Sequence, residues 1–290
     1  MGQGEADVWA CRRVFDVVAA CKVSLVALLV LLMTGSTAYA QPKRIVSLNF
    51  CADLLLLQLA DRSRIASLTH LVSDSELSMF SKVAENISLN HGTAEEVLRY
   101  DPDLVISGSL TALPTAALLR RLGVRVVTIQ PASNFDEIRN VVNRVAKEIG
   151  ETERGRVLIS KMDFRLSLIT PSPSNPERAI VYQPHGYTAG SGTLADEIIR
   201  AAGMTNAAAE LGIVGYQQVS LETLVGTGPD WLVTSSYRPE QPSLSGSLME
   251  HPVLHWREGE GLIALPPKYW ACGNPIVVDA VERLAKLRKR

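Results

Sequence analysis

The side chains that could do chemistry are few and scattered, and their spacing excludes more than it offers. Ser191 lies in Gly190-Ser191-Gly192, which lacks the five-residue turn that raises a nucleophilic serine, and no histidine and acid stand ready to complete a triad. Cys51 with His70 forms a conceivable thiol pair. His70, His91 and His185, with a carboxylate such as Asp53, would suit zinc or manganese by donor type, but they show no ligand spacing. No dinucleotide fingerprint, phosphate loop or HExxH sequence occurs. A catalytic role is therefore not expected; an exported thiol or serine hydrolase and a bare-metal carrier stand as the alternatives to a binding function.

Two of the four cysteines, Cys11 and Cys21, fall in a segment that reads as a secretory leader. Arg12, Arg13 and Lys22 are basic, Val23 to Met33 is apolar, and Ala38-Tyr39-Ala40 supplies small residues at the cleavage positions. The apolar run is shorter than the ~20 residues that cross a bilayer as a helix. The expectation is a signal peptide over 1–40, cleaved after Ala40, and a periplasmic mature chain. Cys51 and Cys272 remain, and an oxidising compartment invites a disulfide between them, with free thiols or a ligand-facing pair as the other readings. The net charge of −1 and interspersed signs give no footprint for nucleic acid.

The elements that must position these residues alternate. Arg44 to Leu48, Ile65 to Leu68, Leu104 to Ser107 and Val124 to Ile129 read as strands, with helices at Asp53 to Leu59 and Pro114 to Leu122 between them. Apolar residues then recur at three and four from Phe135 to Ile169, a long helical stretch broken near Gly150, ending in a Pro/Ser segment through Pro176. A second α/β run follows. Ala179 to Tyr182, Trp231 to Thr234 and Leu262 to Leu265 are its strands, Thr193 caps a helix over Leu194 to Ala202, and Pro275 to Leu287 is the last helix. This order predicts mainly parallel sheets in two Rossmann-like lobes, 41–134 and 177–290, joined through 135–176 by a single long α-helix.

The halves also echo each other. Glu95 stands seven residues before Pro102-Asp103, and Glu222 seven before Pro229-Asp230; in each half the Pro-Asp leads into a strand. A helix-to-strand joint explains the Pro-Asp. It does not explain the matched glutamate, which argues for internal duplication.

With Arg44-Ile45-Val46-Ser47-Leu48 before Asp53 to Leu59, Glu95 through Ser107, Leu122 to Val127, Thr188-Ala189-Gly190 before a helix ending in Ala202-Gly203, and Val219-Ser220-Leu221-Glu222, the chain resembles the periplasmic substrate-binding proteins of ABC importers, in the class that carries ferric siderophores and vitamin B12. The resemblance covers nearly all of the mature chain. It implies a monomer with the class III architecture, no resident cofactor, and two partners: an iron or cobalt chelate and the importer's membrane subunits. It further implies that Glu95 and Glu222 dock into arginine pockets, one on each membrane subunit, by bidentate charge-assisted pairs. The ligand would lie between the lobes at the carboxyl ends of the strands, among Asn49, Phe50, Cys51, His70, Ser109, His185, Tyr187, Tyr216, Tyr237, Tyr269, Trp270 and Asn274. Compared with vitamin B12 binders, His70 replaces a tyrosine, and Gly108 and Leu89 stand near positions expected to hold tryptophans. A Cys51–Cys272 bridge would tether the lobes across the cleft.

Overall fold

The computed structural model describes residues 41–169, 174–235, 251–252, 254 and 261–288. The leader reading over 1–40, the residues at 170–173 of the Pro/Ser segment, and Tyr237 lie outside them. From Pro42 onward the chain forms one compact unit built on two sheets.

The first sheet is parallel throughout. Its strands are β1 (Ile45–Ser47), β2 (Ile65–Thr69), β3 (Leu89–Asn90), β4 (Leu104–Gly108) and β5 (Val126–Ile129), in the spatial order β3-β2-β1-β4-β5. Strand alternation divides its side chains between two faces. Ile45, Leu104 and Ile106 enter the main core, whereas Val46 and Val105 join Leu48, Val97 and Leu119 in a smaller cluster on the other side. Helix α1 (Phe50–Leu59) starts three residues before the expected Asp53, because the Asn49 side chain caps it by accepting from the Ala52 N–H. Its Leu54–Leu57 run is buried on every side, which suits a helix enclosed by other elements.

The expected long helical stretch is a hairpin of two helices, α4 (Phe135–Glu148) and α5 (Thr152–Ser167). The chain reverses at Gly150, in the left-handed region at φ 75°. Gly155 lets the two helices approach, since a Cβ there would meet the Ala146 methyl at 2.5 Å. Arg139 reaches across from α4 to Asp163 at 2.7 Å. Of the two helices it is α5, 16 residues long, that precedes the second lobe in the chain.

The second sheet is also parallel, in the order β11-β10-β6-β8, with β6 (Arg178–Tyr182), β8 (Thr205–Asn206), β10 (Trp231–Thr234) and β11 (Leu262–Ala264). An antiparallel ribbon of β7 (Tyr187–Ala189) and β9 (Tyr216–Gln218), not anticipated from sequence, stands beside it. Thr193 caps α6 (Leu194–Ala201) as expected, and α8 (Val278–Leu287) closes the chain. Arg165 of α5 holds α8 through Asp279 at 2.5 Å and Glu282 at 2.8 Å. One hydrophobic core runs from Leu56 and Ile106 through Val142 and Met162 to Val181, Ile198 and Val281, so the lobes share their interior.

The short helices α2 (Ala94–Leu98) and α7 (Leu221–Thr227) show the internal repeat in atomic detail. Each begins at a hydroxyl cap, Thr93 or Ser220, and each is followed by a left-handed residue before proline, Asp101 at φ 45° and Gly228 at φ 56°. Asp103 accepts from the Lys43 and Arg44 N–H groups at 2.7 and 3.0 Å; Asp230 accepts from the Arg178 N–H at 2.8 Å. The Arg44 side chain donates to the Asp101 carbonyl at 2.5 Å and that of Arg178 to the Gly228 carbonyl at 3.3 Å. The same unit fixes the start of the first strand in both lobes.

Candidate functional site

At the carboxyl edge of the first sheet, four strand ends bring polar groups together. Buried Asn90, at the end of β3, donates to the Ser47 and Leu68 carbonyls at 3.1 and 3.0 Å and to Ser67 Oγ at 2.9 Å, tying β1, β2 and β3. The residues just beyond two of these strands, His70 and His91, are thereby placed side by side. Their rings stack with centroids 4.7 Å apart and planes at 23°. Glu96 fixes the second ring: its carboxylate accepts from the His91 backbone N–H at 2.9 Å and lies 3.2 Å from His91 Nδ1. Those contacts, the His91 backbone N–H foremost, hold the Glu96 carboxyl down to about 2. Glu96 also completes a capping box with Thr93, so one residue serves the helix start and the histidine pair.

Asn49 spends its side chain on structure, capping α1 and donating to Thr111 Oγ1 at 3.1 Å. Phe50 is half-buried against the core. Ser109 follows β4, and its hydroxyl oxygen is shut off from solvent with no hydrogen-bond partner among the described residues. Beneath His70 lies Asp53, wholly buried in α1. Burial pushes its carboxyl up to about 7, against hydrogen bonds from Ser47 and from the Thr69 hydroxyl and backbone N–H.

On the second lobe, His185 is exposed at φ 66° and is followed by the antiparallel ribbon. Register places Tyr187 opposite Gln218 and Ala189 opposite Tyr216, so both tyrosines occupy one face, 41% and 59% exposed. Thr188, on the other face, donates to the Val181 carbonyl and seats the ribbon on the sheet. Three of the expected residues are turned inward. Trp270 is buried and donates its indole N–H to Ser235 Oγ at 3.1 Å. Asn274 is buried and caps the turn that leads into α8 by accepting from the Ile276 N–H, and the Tyr269 hydroxyl accepts from Arg283 at 2.7 Å. Trp270 and Asn274 thus each have a hydrogen-bond partner within the fold and a packed surface.

The lobes are joined across this region. Cys51, at the first turn of α1, is disulfide-bonded to Cys272, with their Cα atoms 5.4 Å apart. The thiol-nucleophile reading of Cys51 falls with that bond. Nearby, Lys268 donates to the Ser75 carbonyl at 3.3 Å, and Gly273 sits against the Ala132 backbone so closely that a side chain would collide. Ser191 donates to the Ile213 carbonyl at 3.2 Å. Among the described residues, no group of three or more His, Cys, Asp or Glu side chains is arranged to hold a metal ion.

Glu95, which directly precedes Glu96, and Glu222 occupy the second position of their capped helices, both exposed. Glu95 pairs with Arg99, one turn on, at 3.3 Å. Hydrogen bonding from Ser220 lowers the Glu222 carboxyl, keeping it ionised.

A family model described as periplasmic binding protein matches residues 45–255. A cobalamin-binding protein of Halobacterium salinarum is 26% identical over 206 residues, which cover 69% of this chain and 56% of that protein. An uncharacterized ABC transporter substrate-binding lipoprotein of Bacillus subtilis, YvrC, is 25% identical over 210 residues, 69% of this chain and 65% of that one. The chain thus spans little more than half the length of the first of these relatives. In structure it is similar to the periplasmic haem-binding protein HutB of Vibrio cholerae, with a TM-score of 0.70 over 84% of this chain and 98% of that one at 20% identity, a likeness of fold.

Proposed function

The chain belongs to the periplasmic binding protein family, and we propose that it works outside the cytoplasm, capturing an iron or cobalt chelate between its lobes and delivering it to an ABC importer. The observation that carries this reading is the placement of Glu95 and Glu222. Two exposed carboxylates at the same step of the same capped-helix unit, one per lobe, give a partner one ionic grip on each half of the protein. Such a pair reports on both lobes at once. A solvated helix-start glutamate gains only the ~0.3–1 kcal/mol of the helix dipole, which needs no match between lobes.

The region between the grips fits a bulky chelate better than a bare ion. We take its two sides to be the ribbon that carries the Tyr187 and Tyr216 rings and the first-sheet edge that carries the histidine pair. Aromatic faces give contact area at small entropy cost, with a hydroxyl to orient the guest. The protein has no catalytic step of its own in this scheme: affinity comes from burial between lobes already held in place, and release from the importer's different affinity for its states. Tryptophan fluorescence of the mature protein, titrated with aquacobalamin, aquacobinamide, haemin and ferrioxamine B, checks the reading. Saturable one-to-one quenching by at least one chelate is expected, and flat titrations with all four would sink it.

A further inference from the structure

Among the described residues, no ring nitrogen of the histidine pair except His91 Nδ1 has a protein hydrogen-bond partner. His70 is the more open of the two: it is exposed, and its ring stacks on His91. Imidazole nitrogens held by neighbours and left open on one side are donors for iron or cobalt. His91 in turn is fixed by Glu96, the arrangement by which a carboxylate orients an imidazole beside a metal.

The charge around the pair narrows the guest further. The loops that leave the first sheet at this edge, 48–49, 70–80, 91–93, 109–112 and 130–134, contain no lysine or arginine. Among the described strand-end loops of the second lobe the one cation is Lys268, and its ammonium is on the Ser75 carbonyl. An anionic chelate with a filled coordination shell would have to be recognised by cations. What the described residues of this edge offer instead is two imidazoles, the hidden Ser109 hydroxyl, and the ribbon's tyrosines with Gln218, and the charged side chains of the first-lobe loops, Asp74 and Glu76, are acidic.

Resting on the chelate-carrier reading above, we propose that His70 binds directly to the metal of a macrocyclic chelate of low net charge that keeps an axial position open, of the corrinoid type, with His91 and Glu96 as positioning residues. The step is a ligand exchange: an imidazole nitrogen replaces a metal-bound water, which leaves, and the metal keeps its oxidation state. Coordinatively saturated ferric chelates are disfavoured at this site because they have no position for the nitrogen.

The test compares aquacobinamide with dicyanocobinamide, the same corrin ring with both axial positions blocked by cyanide, on the mature disulfide-bonded protein. Aquacobinamide should bind with the absorption change of an imidazole adduct, and about 100-fold more tightly than the dicyano form. His70→Ala should abolish the adduct spectrum and bring the two affinities together, with its melting temperature unchanged because the side chain is exposed. Glu96→Gln, which preserves the capping box, should keep the adduct but weaken it roughly tenfold. Equal affinities for the two forms in the wild type, or an adduct spectrum that survives His70→Ala, would overturn the proposal. Tight ferrioxamine B binding with neither corrinoid bound would overturn it too while leaving the carrier reading intact, whereas no binding of any chelate removes both.

Discussion

A wholly buried carboxyl with no cationic partner among the described residues sits at the fourth position of α1, under the turn that carries His70. Asp53 is raised from 3.8 to about 7 because burial penalises its charge more than Ser47 and Thr69 repay. The folded chain therefore binds this proton more tightly than the unfolded chain. The resulting stabilisation is full below about pH 4 and is lost as pH climbs through 7, by roughly 4 kcal/mol for a shift of this size. Glu96 has the opposite sign: its folded value, about 2, lies below its ordinary 4.5, so its contribution is present above 4.5 and fades as pH falls toward 2. Urea midpoints should fall for the wild type between pH 5 and 8 and stay nearly level for Asp53→Asn. Parallel curves for the two proteins would show that the carboxyl is not titrating in this window. Sequence named Asp53 only as one candidate metal ligand. Its real surroundings, the Thr69 N–H and hydroxyl sixteen residues away, depend on how α1 lies against β2, which no local pattern encodes. The pairing of His70 with His91 was hidden for the same reason: it depends on β2 and β3 being neighbours.

Elements were far easier to read than their partners. The strands β1, β2, β4, β5, β6, β10 and β11 follow from short β-branched runs, and Thr193 marks the start of α6 by its side chain alone. The missed elements are those whose strength comes from tertiary pairing. β3 and β8 are two residues each, and the ribbon of β7 and β9 is too short and polar to announce itself. The burial of Trp270 and Asn274 was not legible either, because a residue type at a strand end does not tell which way the chain turns next. The disulfide is the element-scale contact with the largest consequence. It closes a separation of 221 residues between α1 and the segment before α8, and bridges of this kind contribute roughly 2–5 kcal/mol. Replacing both Cys51 and Cys272 by Ser should lower the melting temperature by about 5–15 °C while far-ultraviolet circular dichroism at 25 °C stays native. An unchanged melting temperature would mean that the shared core alone fixes the lobes.

For the whole molecule, the lobes share one core, a helix hairpin and a covalent link, so large closing motions have little room. Recognition by an importer must then come from the outer surface, where the duplicated unit sets one glutamate on each half. That duplication was legible as a spacing of seven between Glu95 and Pro102 and between Glu222 and Pro229. What the spacing could not convey is the αL-Pro-Asp lock to Arg44 and Arg178 that makes the two copies superimpose in role. The most direct test is transport in intact cells by the double variant Glu95→Ala/Glu222→Ala, with chelate affinity measured on the same purified protein. Affinity within about twofold of the wild type together with uptake reduced at least ~100-fold is the predicted result. Normal uptake by the double variant would contradict the account.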